Sequence, residues 1–519
     1  WLKPCQLKGC CLACCRSGGR IAMGHAISLD SSPTSPSNRG SVSGYSSGSS
    51  SSGSTASRVR VSLLSCGSAQ QDLIPWVLGD RWSKTLGARR ASISESKGGL
   101  VGLTNLGNTC FMNVGLQCLS HLEPIAAFFL TGKYAEEVNM KNPFGTGGRL
   151  ARAFARLQEQ LWQRNAGVQS PRQIHRTLSK FAPHLFRRSE QQDAQEFLAY
   201  LLDGLHEDLN LVKSRLPPAP KSGGQGGAGK KEDDEEDEAV RLEREKGEEY
   251  VAALTWMRHL LRHKSFLVDL FQGQIRSQLT CALCGYVSKA FDPYLYMSLP
   301  VNDRMRTLQD ALQLFCAEET LSGNEQWHCP RCKKRVNASK KIDIWKLPPI
   351  LVIHLKRFEF DTRSGHFRKI QANLRTPLTV DLTEFVTTQQ RESLIYDVAC
   401  VANHSGQFHS GHYTATCRHP VDGKFYVFDD DEVREVGDNE NVFSQGGAYV
   451  LFLIRNASNG EEGDLHRQSI TRPEVWPHTV SRHNSLMLPA VREVMGTLGS
   501  SQNTASGSEV EPPADPGAQ

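Results

Sequence analysis

The chain has 519 residues and a formal net charge of +5, so its length admits two to four domains while a charge this modest points to no particular partner. No apolar run reaches the roughly 18 residues a membrane span needs, and the first 30 residues lack the continuous apolar stretch of a signal peptide. Fifteen cysteines, an odd number with no secretion signal, favour reduced thiols inside the cell.

Position 1 is Trp, which suggests a fragment or an upstream read-through. Were translation to begin at Met23, Met23-Gly24-His25-Ala26-Ile27-Ser28 would fit an N-myristoylation signal and supply a lipid anchor, although chance is the simpler account. Cys5, Cys10, Cys11, Cys14 and Cys15 crowd this end, and the Cys10-Cys11 and Cys14-Cys15 pairs are open to acylation or metal, with no ordered context to favour either. Residues 29–57 are dominated by Ser and Gly and bury too little to offset chain entropy, so 1–99 is expected to be mostly disordered. Arg89-Arg90-Ala91-Ser92 fits a basic-directed phosphorylation site of a common kind.

A core begins near Leu100. Apolar spacing predicts a helix from Phe111 to Phe129, bent or ended by Pro124, a second from Leu150 to Trp162, and a third from Gln192 to Leu209 with Phe197, Leu198, Leu201, Leu202 and Leu205 on one side. Residues 211–249 break the pattern: Pro217-Pro218, a Gly-rich stretch and the acid run Glu232 to Glu238 read as a flexible, solvated insertion. Strand signals follow over 274–280, 294–299, 350–360, 395–403, 411–417, 424–429 and 447–455. Helices first and strands later imply an α+β architecture. Beyond Asn456 the chain turns polar and Pro-rich, and 457–519 is expected to be a disordered tail.

Cys110 stands where loop chemistry gives way to a helix. Unpaired N–H groups and the helix dipole there favour thiolate, so Cys110 is expected to be more acidic than the usual value of about 8.5. Cys118, on the following turns, reads as a small buried hydrophobe. Ser410-Gly-His-Tyr413 and Phe428-Asp-Asp-Asp431 lie far downstream. A thiol, an imidazole and a carboxylate are the parts of a cysteine-nucleophile hydrolase. His412 is preferred as the base because it opens a strand, His404 and His409 reading as surface or loop groups. For the carboxylate, a tight turn at Asp422-Gly423 would pair residue 416 with 429. A wider loop, Arg418 to Gly423, pairs Cys417 with Lys424 and sets His412 opposite Asp429; Pro420, which cannot donate to a ladder, favours it. Asp429 is therefore first choice and Asp430 the alternate, with Asp431 facing solvent.

Cys281-x-x-Cys284 and Cys329-x-x-Cys332 are two knuckles suited to tetrahedral thiolate ligation of Zn²⁺, with Gly285 after the first and Pro330 inside the second. A closed four-thiolate site makes the metal structural. A redox CxxC is the weaker reading. Asp193 and Glu196, three apart, can share a helix face.

Together these segments resemble the ubiquitin-specific proteases, papain-like cysteine enzymes that remove ubiquitin from proteins. The Cys110 segment, Gln191-Gln-Asp-Ala-Gln-Glu-Phe197, His354-Leu-Lys-Arg-Phe358, Gly411-His-Tyr413 and Ala448-Tyr-Val-Leu-Phe452 look like family boxes, in the family's order, over roughly 100–456. The resemblance implies a papain-like cysteine protease with a helical thumb, a β-rich palm and zinc-bearing β fingers at about 270–345. It implies Cys110 as nucleophile, His412 as base, Asp429 as third member and Asn105 as oxyanion donor, Asn108 reading equally well as part of a turn. It also implies Asp193, with Gln192 and Glu196, as contacts for ubiquitin's extended tail, whose two final glycines thread a narrow cleft. Val114 departs from the family's usual Ser, and Gly115 is a poor helix residue by about 1 kcal/mol; both put local helix stability in question. The implied activity is thiol-dependent hydrolysis of isopeptide bonds at ubiquitin's C-terminal glycine, with no cofactor in the chemistry and with ubiquitin and ubiquitinated proteins as partners. A non-catalytic ubiquitin-binding scaffold and a protease for another ubiquitin-like modifier are the alternatives. A zinc-dependent nucleic-acid binder would rest on Lys333-Lys334-Arg335 alone, which is too short, so no nucleic acid is expected. The cytosol is the default location, with the nucleus also open.

Overall fold

Glycine and asparagine decide where the first helix begins. Gly107 and Asn108 take φ of 97° and 53°, a left-handed turn that these residues adopt most cheaply, and α1 (Cys110–Ser120) follows with every residue buried. The computed structural model describes residues 98–186, 191–212, 238–361, 365–387, 394–407, 410–437 and 447–456. The N-terminal cysteines, Met23, Ser92, His409, most of the acid run and the tail beyond Asn456 lie outside the described residues.

The helix expected from Phe111 to Phe129 is two. α1 ends at Ser120, and α2 (Glu123–Leu130) restarts with Pro124 in its first turn, where the missing N–H has no intrahelical partner to lose. Helices α3 (Arg149–Trp162) and α4 (Arg172–Phe181) follow, then α5 (Ala194–Asp208). α5 begins one residue after Asp193, which is its N-cap and accepts from the N–H groups of Gln195 and Glu196. Asp193 therefore does not share a helix face with Glu196, because its side chain turns back to the orphan donors of the first turn. Gly115 does not interrupt α1. It brings α1 onto α5, where a Cβ would lie 3.0 Å from the Phe197 ring.

The insertion expected as a flexible loop over 211–249 includes helix. α6 (Glu238–Lys246) and α7 (Glu248–Leu260) form because Leu242 packs with Val251, Trp256 and Met257 against Phe291 and Trp345. A short α8 (Phe266–Phe271) is capped by Ser265, whose hydroxyl accepts from Val268 N–H.

The strands are β1 (Gly273–Cys281), β2 (Val287–Tyr294), β3 (Met297–Pro300), β4 (Ala338–Lys346), β5 (Ile350–Lys356), β6 (Ile395–Gly406), β7 (Gly411–Arg418), β8 (Phe425–Asp429), β9 (Glu432–Val436) and β10 (Ala448–Arg455). One sheet runs β2-β1-β4 and then Glu319–Leu321, and carries the CxxC turns at its tip. The larger runs β9-β8-β7-β6-β10-β5-β3, with Thr379–Asp381 joined to β6. All its ladders are antiparallel except β3 with β5. Its centre is buried on both faces: Val401 and Ala402 of β6 and Val450, Leu451 and Phe452 of β10 are wholly inaccessible. One face packs on α1, α5 and α8. The other packs on Leu308, Leu312 and Leu382. Each such burial contributes about 1.5–3 kcal/mol, so α1 is locked to the sheet that carries its partners. The mixture of helices and sheets is the α+β, papain-like arrangement expected. Among the described residues no helix is long and apolar enough to cross a membrane.

The β7–β8 register differs from both expectations. Cys417 pairs with Tyr426 and Arg418 with Phe425, so the loop is His419–Lys424. His419 causes this: it is 1% exposed, its Nε2 bonds the Gly98 carbonyl at 2.8 Å and its ring stacks on Trp162. Anchoring that loop shifts the ladder by two residues, which keeps the same side chains on the same face.

Candidate active site and cysteine cluster

Cys110 is the first residue of α1 and is 1% exposed. Burial pushes its thiol above the ordinary value, and the charge of Asp430 pushes the same way. The backbone N–H groups of Tyr413, Phe111 and Cys110 itself pull downward but do not win. The expectation of an acidified resting thiol is thus corrected: removal from water outweighs the helix terminus.

The Tyr413 N–H that faces the sulfur places β7 directly over it, and His412 is the preceding residue. His412 Nε2 and Asp429 Oδ1 are 2.6 Å apart. The observed ladder would set Asp429 opposite Thr414, two residues from His412 on the same face, a diagonal within side-chain reach. Both side chains are about two-fifths exposed. Asp430 has φ of +50° and turns away from the ladder toward the Cys110 loop. Its carboxylate accepts from Asn105 Nδ2 and from Asn113 Nδ2, each at 2.8 Å, and its carbonyl accepts from Leu103 N–H at 2.6 Å. Asp431 is exposed. His404 is not a surface group. It is 3% exposed, packed against Phe358 and Tyr413, and held down to about 4 by burial.

At the tip of the first sheet, Cys281 and Cys332 Sγ are 3.9 Å apart and Cys284 and Cys329 Sγ 3.7 Å apart. A tetrahedron with metal–sulfur bonds of about 2.3 Å has edges of about 3.8 Å. The four ligand atoms lie within 4.8 Å of one another, so the cluster can hold a metal ion. The two knuckles repeat one geometry: Cys284 N–H points to Cys281 Sγ and Cys332 N–H to Cys329 Sγ, each at 3.4 Å. The left-handed position is Gly285 in the first and Lys333 in the second.

Comparison with known proteins now decides the family. Residues 101–453 match the family model "Ubiquitin carboxyl-terminal hydrolase". The chain belongs to that family. It is similar to ubiquitin carboxyl-terminal hydrolase 2 of Rattus norvegicus, at 39% identity over 69% of this chain and 54% of that protein. It is also similar to ubiquitin carboxyl-terminal hydrolase 21 of Mus musculus, at 36% identity over 68% and 61%. The chain thus spans a little over half the length of the curated relatives it matches. In fold it is like the SAGA Ubp8/Sgf11/Sus1/Sgf73 DUB module bound to ubiquitin aldehyde, with a TM-score of 0.52, 22% identity and coverage of 70% and 71%.

The other expected site residues fall as follows. Asn105 is exposed, and its Oδ1 accepts from Gly107 N–H, Thr109 N–H and Thr109 Oγ1 at 3.0, 3.0 and 3.2 Å. One of its two amide N–H donors goes to Asp430. Asn108 sits in the turn. The second carboxylate oxygen of Asp193 accepts from the Tyr449 hydroxyl, which ties the α5 N-terminus to β10. Gln192 is half-buried and Glu196 exposed. Gln191 was missed: its amide exchanges two hydrogen bonds with the backbone of Gly411, receiving from Gly411 N–H at 2.8 Å and donating to Gly411 carbonyl. This pins the residue next to His412. Asn113 was missed as well. Both lie inside the motifs around Asp193 and Cys110, where their amide side chains carry no local mark of the long-range bonds they make.

Proposed function

We propose that the chain is a thiol-dependent deubiquitinase that hydrolyses isopeptide bonds at the C-terminal glycine of ubiquitin, with residues 100–456 as its catalytic domain. The observation that carries this reading is the 2.6 Å contact between His412 and Asp429, on a strand whose next N–H faces the Cys110 sulfur. Nε2–H of His412 donates to Asp429, which leaves Nδ1 as the proton acceptor. As the carbonyl carbon of the last glycine approaches, Nδ1 takes the thiol proton and the sulfur forms the C–S bond. The oxyanion takes up a remaining N–H of Asn105 and backbone donors at the start of α1. Imidazolium returns its proton to the departing lysine amine, leaving a ubiquitin thioester. A water molecule, deprotonated by His412, then releases ubiquitin and restores the thiol.

Asp193, Gln192 and Glu196 are proposed as contacts for the cationic tail of ubiquitin, with Asp193 fixed for the purpose by its own cap and by Tyr449. Cys281, Cys284, Cys329 and Cys332 are proposed to bind structural Zn²⁺, which would clamp the tip of the β1–β4 sheet. The two Sγ–Sγ edges fit that ion, and no step of catalysis passes through it. Ubiquitinated proteins are the proposed partners and the reducing cytosol the proposed compartment. Incubation with a panel of di-ubiquitins tests the reading: cleavage to monomer by the wild-type chain, and none by Cys110→Ser, is expected. Intact di-ubiquitin across the whole panel would overturn it.

A further inference from the structure

Helices α3 and α4 flank a groove made of two adjoining cavities of about 470 and 200 Å³ that share Gln173 and Arg176. Arg156, Arg172 and Arg176 line the larger one, and Arg149, Arg176 and Lys180 line the smaller. Arg172, Arg176 and Lys180 recur every four residues, so they stand on one face of α4. Such like-charged neighbours destabilise a helix. α4 also begins at Arg172 with no acid in its first turn and no side-chain cap, against its own dipole. Among the described residues none of Arg156, Arg172, Arg176 and Lys180 takes part in an ion pair. These four, with Arg149, whose Nε donates to the Thr146 carbonyl at 2.8 Å, put five exposed cations around the indentation and call for an anionic occupant.

We propose that the groove between α3 and α4 docks the chain's own acid run, Glu232-Asp-Asp-Glu-Glu-Asp-Glu238. The run is tethered beside the groove. Thr146 lines the smaller cavity, and its N–H and hydroxyl bond the carboxylate of Asp208, the last residue of α5, at 2.6 and 2.7 Å. Four residues later Val212 still accepts from Asn139 Nδ2 at 3.4 Å, and there the described chain leaves. From Val212 to Glu232 is 20 residues (232 − 212), rich in Gly and Pro, with a typical span of about 25 Å, and the run's other end leads straight into α6 at Glu238. Seven consecutive carboxylates and five cations are opposite in sign and similar in number. The tether supplies an effective concentration of about 1 mM, which makes even a weak, salt-sensitive contact populated. An acidic segment of another protein would then bind the groove only by displacing the run.

The test uses the full chain and a fluorescent peptide of sequence Glu-Asp-Asp-Glu-Glu-Asp-Glu, with binding read by anisotropy at low and at 0.3 M-scale salt. With an intrinsic dissociation constant of about 0.1 mM, the tethered run weakens peptide binding about ten-fold. Neutralising the run (E232Q, D233N, D234N, E235Q, E236Q, D237N) should therefore tighten peptide binding about ten-fold. Adding Arg172→Gln and Arg176→Gln should abolish that gain. These positions are exposed, and an unchanged thermal melt verifies folding. Equal peptide affinity for the wild-type and run-neutralised chains would overturn the proposal. So would a single-stranded oligonucleotide of equal charge that binds the groove equally well with and without the run.

Discussion

Two adjacent aspartates divide the labour, and their alanine variants should fail in different ways. Asp429→Ala removes one charge-assisted hydrogen bond, the 2.6 Å contact to His412. Both partners are about two-fifths exposed, so folding should lose less than about 1 kcal/mol. Orientation of the imidazole should lose more. A bond to a charged group contributes about 1.5–3 kcal/mol, and taking the lower part of that range for a site open to water gives about a 10- to 30-fold fall in kcat. Asp429→Asn keeps an acceptor for Nε2–H and should fall less. Asp430→Ala instead unties Asn105 and Asn113. Asn113 is 2% exposed, so its amide is left poorly satisfied, at a cost of about 2–3 kcal/mol. In a domain of this size that corresponds to a melting temperature lower by about 3–4 °C, with turnover reduced as the Cys110 loop loosens. Turnover of a C-terminal fluorogenic ubiquitin reporter, alongside a thermal melt, separates the two. Full turnover in Asp429→Ala, with turnover abolished in Asp430→Ala at an unchanged melting temperature, would refute the reasoning.

Other outcomes follow from the same structure. His121 and His354 are held down to about 4 by burial, whereas an unfolded chain would protonate them near 6.5. The stability they carry is complete above pH 6.5 and drains as pH falls toward 4, so urea unfolding should show about 1 kcal/mol lost per histidine by pH 5.5; an unchanged midpoint between pH 7.5 and 5.5 would contradict it. Chelation or Cys329→Ser should release about one zinc per chain by metal analysis and loosen the β1–β4 tip, and a folded chain with less than half a zinc would refute the metal assignment. Gly102→Ala would place a Cβ 2.2 Å from the Asp431 carbonyl oxygen. It should cost about 1–3 kcal/mol and depress turnover by pushing the β8–β9 turn from the Cys110 loop, with wild-type stability and turnover as the contrary result.

Sequence reading was weakest on the backbone. Cys110, His412 and Asp429 stood in short motifs whose residue types are demanded by the reaction, and the structure brings the elements that carry them together. The four cysteines were legible because thiolate spacing in a knuckle is fixed by its turn. The β7–β8 register was not legible, since it depends on His419 reaching the Gly98 carbonyl and Trp162, contacts hundreds of residues away in the chain. Asp193 read as a helix residue because capping and helix positions share one residue type. His404 read as a surface group because nothing local reveals that Phe358 and Tyr413 enclose it. α6 was hidden by the acid run that leads into it, with Leu242 buried between the charged Arg241 and Glu243. The Cys110 thiol was misjudged for a related reason: the dipole of α1 is a local feature, whereas the burial that outweighs it is supplied by β7 and α5.

The most direct measurement is the reaction of the full chain with a ubiquitin C-terminal electrophile, followed by peptide mapping. The account predicts one covalent ubiquitin per chain, carried on Cys110, with no adduct in Cys110→Ala. An adduct on any other cysteine, or none on a chain shown to be folded, would contradict it.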